Sequence, residues 1–255
     1  MTFLNVDVAA GVATVVIDRP PANAVNPELI DEFLTVLPGL ARDPAVRCLV
    51  LTGVGRFFIA GADIAVMRDL SLDNHVRMRR WIEVQRLLEL APKPVVAAIN
   101  GHALGGGAEL SLACDLRIAA ASAGFGFPEM QLGLFPGAGG SQRLPRLLGL
   151  HKAKLLMIEG RRLTAVEALE LGLLDEVVPD EDFPAVVAER ARDLAAKPTA
   201  TIGLLKTSML AGAPLDIEGA MAVEWEAVQQ VIASDDAAEG LQSFLDKRKP
   251  TFQGR

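Results

Sequence analysis

The sequence predicts an α/β domain with a parallel sheet, and three observations support this prediction. Residues 95–99, Val-Val-Ala-Ala-Ile, form an unbroken apolar run, which is typical of a strand buried on both faces of a sheet. Runs of this kind alternate along the chain with segments whose apolar residues recur at helical spacing. Turn residues at 100–101 and three glycines at 105–107 then lead from the central run into an apolar, helix-forming segment, residues 108–114.

The order of strand, glycine turn and helix start has a chemical meaning of its own. It places several backbone N–H groups around a space that no side chain enters, and the helix dipole adds its positive end there. Such a place favours negative charge, and it acts as an oxyanion hole if the charge develops during a reaction. A plain glycine turn is the simpler explanation and is favoured by this stretch alone, so other residues must decide between the two.

Composition limits the class of protein. A chain of 255 residues with 51% hydrophobic residues can form one large domain, or one domain with an appendage. Its net charge of −7 gives no basic signal for nucleic acid or an anionic membrane. The two cysteines, Cys48 and Cys114, lie in apolar segments without metal-ligand spacing, as expected of buried thiols in a reducing compartment. With no secretory signal pattern at the N-terminus and no long uncharged apolar run, a cytoplasmic location is expected.

The first part of the chain predicts a hairpin followed by alternating helices and strands. Two strand-like runs, residues 3–9 and 12–17, are joined by an Ala-Gly turn and predict a β-hairpin. Asn26-Pro27 is typical of a helix start with proline at the first helical position. The further elements expected before the central run are a helix at 28–42, a strand at 46–52 and a long helix at 74–90.

The part after the central run predicts fewer strands and more helices. A strand is expected at 115–121, and a second glycine-rich turn, residues 136–141, precedes a helix ending near residue 148. Thr164 with Glu167 three positions later fits a helix N-cap, and residues 173–178 are the last strand candidate. From residue 180 onward only helices are expected. The sequence therefore predicts a core at residues 1–179 and an all-helical region at 180–255.

Several familiar chemistries do not fit the motifs. A dinucleotide fingerprint beginning at Gly53 would need glycine where Phe58 stands, and Ser141 does not lie in a nucleophile elbow. The three histidines lack metal-ligand spacing. What remains are the two glycine turns and two acids, Glu109 and Glu129. Each acid also has a simple explanation, because an acid near a helix start complements the helix dipole.

The motifs taken together resemble the enoyl-CoA hydratase/isomerase, or crotonase, family. The similarity runs through nearly the whole chain, in the order residues 58–64, 94–110, 127–133, 136–144 and 244–252. It implies a spiral core of ββα turns and a C-terminal helical region that supports trimer contacts. It also implies an acyl-CoA thioester as substrate, no cofactor beyond the CoA carried by that substrate, no metal, and assembly as a homotrimer or homohexamer.

The resemblance assigns roles to residues of both glycine turns. It implies that the backbone N–H groups of Ala62 and Gly106 bind the thioester oxygen as an oxyanion hole, which agrees with the position of Gly106 at a helix start. It implies a water-positioning N–H at Gly137. The residues it implies for CoA binding are Arg56, Ala60, Asp63 and Ile64. The chain departs from the family pattern at residue 65, where alanine stands in place of a frequent lysine.

The two acids distinguish the chemistry within the family. Members that hydrate carry glutamate at both positions, and this chain has both Glu109 and Glu129. Addition of water to a 2-enoyl-CoA needs a base for the water and an acid for C2, and two nearby carboxyls can divide these tasks. The resemblance implies Glu109 as the base and Glu129 as the acid. The predicted activity is enoyl-CoA hydratase, as in fatty-acid β-oxidation.

Two alternatives remain open at this point. The first is a 3,2-enoyl-CoA isomerase or another crotonase-type acyl-CoA enzyme. An isomerase needs one well-placed acid/base, for which Glu129 suffices. A non-catalytic acyl-CoA-binding member is the second alternative, although intact acids and glycines argue against it. Acyl chain length cannot be read from the sequence.

Overall fold

The computed structural model describes residues 2–69 and 71–255. Its strands, in chain order, are β1 (Leu4–Ala9), β2 (Val12–Ile17), β3 (Cys48–Gly53), β4 (Phe57–Ile59), β5 (Val95–Ile99), β6 (His102–Leu104), β7 (Leu116–Ala120), β8 (Gly124–Gly126), β9 (Arg162–Thr164) and β10 (Glu176–Val178). Its α-helices are α1 (Pro27–Arg42), α2 (Ile64–Met67), α3 (Leu72–Arg79), α4 (Trp81–Glu89), α5 (Gly106–Ser111), α6 (Gly140–Leu148), α7 (Leu150–Glu159), α8 (Ala165–Glu170), α9 (Phe183–Ala195), α10 (Thr199–Gly212), α11 (Ile217–Ile232) and α12 (Asp235–Leu245). A short 3₁₀ helix spans Pro128–Leu132.

Two sheets organise the core. The larger has the strand order β1-β2-β3-β5-β7-β10, with β1 and β2 antiparallel and every other neighbouring pair parallel. The predicted hairpin and the predicted parallel pairing are therefore confirmed. The smaller sheet, β4-β6-β8-β9, was not predicted from the sequence because its strands are only three residues long. A run that short carries too little periodicity to be recognised.

The larger sheet is covered on both faces around its centre, which explains why β5 carries no polar side chain. All five residues of β5 are buried. Helices α1 and α4 contribute to the cluster on one face, and α9 contributes Val187, Ala191 and Ala195 to the cluster on the other. Because α9 belongs to the predicted helical region, that region packs directly on the sheet. The proposed division at residues 179/180 stays a prediction.

Local signals placed several helix starts correctly. The side chain of Asn26 accepts the N–H of Leu29 at 3.0 Å and caps α1, which has proline at its first position. Thr164 and Glu167 form a complete capping box at the start of α8. The predicted long helix at 74–90 is wrong in one respect, because it is divided at Arg80 into α3 and α4. There the N–H of Arg80 donates to the carbonyl of Arg77, three residues earlier, which is the 3₁₀ hydrogen-bond pattern. This tighter turn separates the two helices.

The helical C-terminal region is confirmed, and its helices differ in how they are packed. Lys206 ties α10 to the core through a 2.7 Å ion pair with Asp115. By contrast, no residue of α11 is buried. Within residues 2–69 and 71–255, none of the helices has the length and apolar character needed to cross a bilayer.

Candidate active site

Gly105 and Gly107 are each required for a different steric reason. Gly105 has φ +50°, and a Cβ there would lie 2.7 Å from Oε1 of Glu129. A Cβ on Gly107 would collide with the carbonyl oxygen of Ile59 in β4. The turn is therefore more than a chain reversal, because it lets the start of α5 approach a carboxyl and a neighbouring strand. The structure places the helix start at Gly106, two residues earlier than the predicted run at 108–114.

The two residues predicted for the oxyanion hole lie side by side. A Cβ built on Gly106 would lie 3.8 Å from the backbone nitrogen of Ala62. The segment holding Ala62 is fixed by Val25, whose N–H donates to Gly61 O and whose carbonyl accepts the N–H of Asp63, both at 2.8 Å. As the first residue of α5, Gly106 has an N–H without an intrahelical acceptor. The indole N–H of Trp81 donates to Gly106 O at 3.0 Å and holds the peptide on its other side.

Glu109 is buried in the fourth position of α5, with only 3% of its surface exposed. Its Oε1 accepts the N–H of Ala138 at 2.9 Å and that of Gly140 at 2.8 Å. Burial raises the pKa of Glu109, while these two donors and the nearby Arg143 cation favour the charged form. Its carboxylate is thus one that specific donors stabilise inside the protein.

The contact that holds Glu109 comes from the second glycine turn, for which the family resemblance implied water positioning through Gly137. Gly137 is exposed, and it is Ala138 and Gly140 whose N–H groups meet the carboxylate. A Cβ on Gly140 would lie 2.9 Å from Oε1 of Glu109, so this close approach requires glycine. Glycine at this position, where the helical run of α6 begins, was the sequence signal that could have identified the contact.

Glu129 stands on the 3₁₀ helix against the same helix start. Its Oε2 is buried and makes no hydrogen bond to any residue in the described part of the chain. Burial raises the pKa of Glu129 to about 7, and the charge on Glu109 acts in the same direction. A carboxyl with a pKa of about 7 can hold a proton near neutral pH. The two carboxyls differ in their surroundings, because backbone donors and a cation act on Glu109, whereas Oε2 of Glu129 has no donor within the described residues.

The segment predicted to bind CoA lies next to Ala62 and is partly exposed. Arg56 is exposed at the end of the β3–β4 turn, and Ile64 is 53% exposed at the start of α2. Ala60 donates its N–H to Ala22 O at 3.1 Å. The side chain of Asp63 is engaged within the fold, because it pairs with Arg19 at 2.7 Å and caps α2. In residues 2–69 and 71–255 there is no group of three or more side chains suited to hold a metal ion.

The fold and site define an α/β enzyme in which two buried carboxyls lie beside two adjacent backbone N–H groups. The sequence model of the enoyl-CoA hydratase/isomerase family matches residues 7–255. A probable enoyl-CoA hydratase of Bacillus subtilis is 40% identical over 100% of both chains. A crotonyl-CoA hydratase of Syntrophomonas wolfei is 42% identical over 94% of each chain. The crystal structure of an enoyl-CoA hydratase from Bacillus anthracis superposes with a TM-score of 0.94 at 38% identity, covering 100% of both chains.

The chain belongs to the enoyl-CoA hydratase/isomerase family. Its similarity to hydratases extends over the whole length, which confirms the predicted crotonase-like fold and places the protein among the hydro-lyases.

Proposed function

We propose that the protein adds water across the 2,3 double bond of a 2-enoyl-CoA to give a 3-hydroxyacyl-CoA, with Glu109 as base and Glu129 as acid. The observation that carries this proposal is the contrast between the two buried carboxyls. Burial raises the pKa of both carboxyls, but Glu109 accepts two backbone N–H bonds that favour its charged form, whereas Oε2 of Glu129 accepts none within the described residues. We infer from this difference in donors that Glu109 is the carboxylate that takes the proton and Glu129 the carboxyl that gives it.

The proposed step forms one C–O bond and one C–H bond. The oxygen of water bonds to C3 while a water proton passes to Glu109, and the electron pair of the double bond moves toward the thioester oxygen. The N–H groups of Ala62 and Gly106 stabilise the resulting enolate, and one such donor contributes about 10²–10³ in rate. Glu129 then protonates C2. Both carboxyls return to their starting states by exchanging a proton with solvent.

The CoA part of the substrate is proposed to lie along the exposed segment beside Ala62. Arg56 would face its phosphates, and the main chain from Ala60 to Ile64 would contact the adenine. Asp63 would then act by shaping this segment through its ion pair with Arg19. A water-positioning role for Gly137 remains part of the proposal, since its N–H is one residue from the donors that hold Glu109.

Substitution of either carboxyl tests the mechanism. Glu109→Gln and Glu129→Gln should each lower the rate of hydration by roughly 10²–10⁴-fold, because each removes one proton-transfer group and keeps the side-chain size. The affinity for the CoA ester should change little. The two losses should not multiply in the double variant, since the carboxyls act as one unit.

Assaying both single variants with 2-enoyl-CoA and 3-enoyl-CoA esters separates this mechanism from an isomerase. An isomerase would lose its activity in Glu129→Gln and keep most of it in Glu109→Gln. Hydration by Glu109→Gln at the parental rate would contradict the two-carboxylate mechanism. If the parent protein binds CoA esters but converts neither the 2-enoyl nor the 3-enoyl series, the result would instead support the non-catalytic alternative.

The proposal extends to the setting of the reaction. We place the enzyme in the cytoplasm, in fatty-acid β-oxidation, as a homotrimer or homohexamer. The free, buried thiols of Cys48 and Cys114 are compatible with a reducing compartment. Assembly is supported by α11, whose apolar side chains Met221 and Trp225 are 60% and 59% exposed.

A further inference from the structure

One face of α4 contacts both halves of the site. Trp81, Gln85 and Glu89 are spaced four residues apart, so their side chains lie along the same face of this helix. The indole of Trp81 holds the carbonyl of Gly106. Gln85 lies one helical turn after Trp81, and Glu89 lies two turns after it. Both accept hydrogen bonds from Arg143 of α6. The same helix face thus supports the oxyanion turn and the segment that carries the donors to Glu109.

Arg143 is anchored by two bonds from different nitrogens. Its Nε donates to Oε1 of Glu89 and its Nη1 donates to Oε1 of Gln85, each at 2.6 Å. Gln85 is fully buried, and the side chains of Arg143 and Glu89 are 18% and 15% exposed. A guanidinium can make both bonds at once because its donors are fixed in one plane, which a lysine cannot reproduce.

The anchored guanidinium lies directly over the turn that holds Glu109. Gly139 has φ +107°, and a Cβ there would collide with Nη1 of Arg143. The N–H of Arg143 also donates to Gly139 O at 2.8 Å. Gly139 lies between Ala138 and Gly140, the two residues that donate to the carboxylate. Arg143 therefore contacts the turn from its side chain and from its backbone.

We propose that Arg143 is a positioning residue for the reaction: anchored on α4, it holds the 138–140 turn and, through that turn, Glu109. The inference rests on the proposed role of Glu109 as base. If the turn moves, its N–H donors no longer meet the Glu109 carboxylate in the same place. The carboxylate is then less well aligned to take a proton from the water.

Two variants disturb this anchor from opposite sides. Arg143→Gln removes the guanidinium, and Glu89→Gln removes its charged acceptor while keeping the cation. Each should lower kcat by about 10- to 100-fold with KM changed less than about threefold, because the turn is misplaced and the substrate contacts remain. In hydrogen–deuterium exchange, the segment 136–143 should exchange faster in both variants.

The pH profile of kcat/KM gives a readout that a purely structural role would not move. The charged groups facing Glu109 are Arg143 from α6 and Glu129 from the 3₁₀ helix, with Glu89 of α4 behind the arginine. The arginine cation lowers the pKa of Glu109, so its removal raises that pKa. Since a base must be deprotonated, the acid limb of Arg143→Gln should move to higher pH.

Arg146→Gln is the matched control, because Arg146 lies one turn further along α6, is exposed, and bonds only to Gln142 O through Nη1 within the described residues. It should keep the parental kcat, pH profile and exchange rates. Parental kcat in Arg143→Gln, or an equal loss in Arg146→Gln, would overturn the inference. If Arg143→Gln does not fold, Glu89→Gln is the deciding variant. A kcat of Glu89→Gln within twofold of the parental value would then contradict the positioning role of Arg143. If the proposed function itself is wrong, Glu109→Gln hydrates a 2-enoyl-CoA at the parental rate. The hydrogen–deuterium exchange rates of the segment 136–143 still test whether Arg143 holds the turn.

Discussion

At the residue scale, Glu129 shows that a group suited to proton transfer can lower the stability of the folded protein. The pKa of Glu129 is about 7 in the native fold, whereas in an unfolded chain it returns to its ordinary value of 4.5. Between these values the native state binds more protons, so its stability falls as pH rises. A site built for proton transfer is thus also a place where the fold is weakened near neutral pH.

Glu129→Gln should therefore stabilise the fold at pH 8. We expect the free energy of unfolding to rise by roughly 1–3 kcal/mol there, and the gain to vanish below about pH 4.5, where the parental carboxyl is protonated in both states. Urea denaturation at pH 4.5 and pH 8 measures the difference. Glu170→Gln, an exposed substitution on α8, serves as the control. A gain that does not depend on pH would show that the raised pKa of Glu129 is not its cause.

The attachment of α10 illustrates the element scale. The ammonium of Lys206 donates to Oδ2 of Asp115 at 2.7 Å, to Lys93 O at 3.0 Å and to Leu88 O at 3.3 Å. Burial raises the pKa of Asp115, while the Lys206 cation acts against it. One side chain therefore joins a C-terminal helix to the ends of α4 and β5, next to the helix face that supports the site.

Lys206→Met should loosen this attachment. The substitution leaves the Asp115 carboxylate without its cation. Because 34% of the Asp115 side chain is exposed and solvent screens the pair, the expected loss is about 0.5–1 kcal/mol in the free energy of unfolding at pH 7. The loss should shrink as pH falls and Asp115 becomes protonated. Urea denaturation at several pH values measures both effects. Lys154→Met on the exposed side of α7 should change stability little, and an equal loss there would argue against the ion pair as the cause.

At the scale of the whole molecule, the C-terminal helices expose several large apolar side chains. Helix α11 presents Met221 and Trp225, while Ile217 and Ile232 at its ends are 74% and 69% exposed. On α12, Phe244 is 81% exposed. Ile217, Met221 and Trp225 are spaced four residues apart and so share one face of α11, and an exposed apolar helix face is typical of a subunit interface.

Light scattering should therefore give about three or six times the chain mass of 27.1 kDa. Trp225→Glu places a charge on the same surface and should shift the distribution toward smaller species, because a buried unpaired charge is costly at an interface. Glu226→Gln, beside it on α11, is the control for a change of charge alone. A mass of one chain for the parent protein would contradict the predicted assembly.

Features that are encoded within a few neighbouring residues could be predicted from the sequence. The unbroken apolar run of β5, the Asn26-Pro27 helix start and the Thr164–Glu167 capping box were all predicted correctly, since burial pattern and capping depend on local spacing. The family resemblance added the general fold and the two carboxyls. The three-residue strands of the smaller sheet were not predicted, because so short a run shows little periodicity and its pairing partners lie in distant segments.

The way the site is held could be seen only in the folded chain. Glu109 receives its N–H donors from residues 29 and 31 positions away, and Arg143 finds Glu89 at a separation of 54. Hydrogen bonds of this kind depend on which segments the packed core brings within about 3 Å, and no local pattern encodes that distance. The second glycine turn shows how far prediction from the sequence reaches. Its glycines could be recognised in the sequence, but whether the N–H of Gly137 or those of nearby residues meet the Glu109 carboxylate depends on how α6 packs against α5.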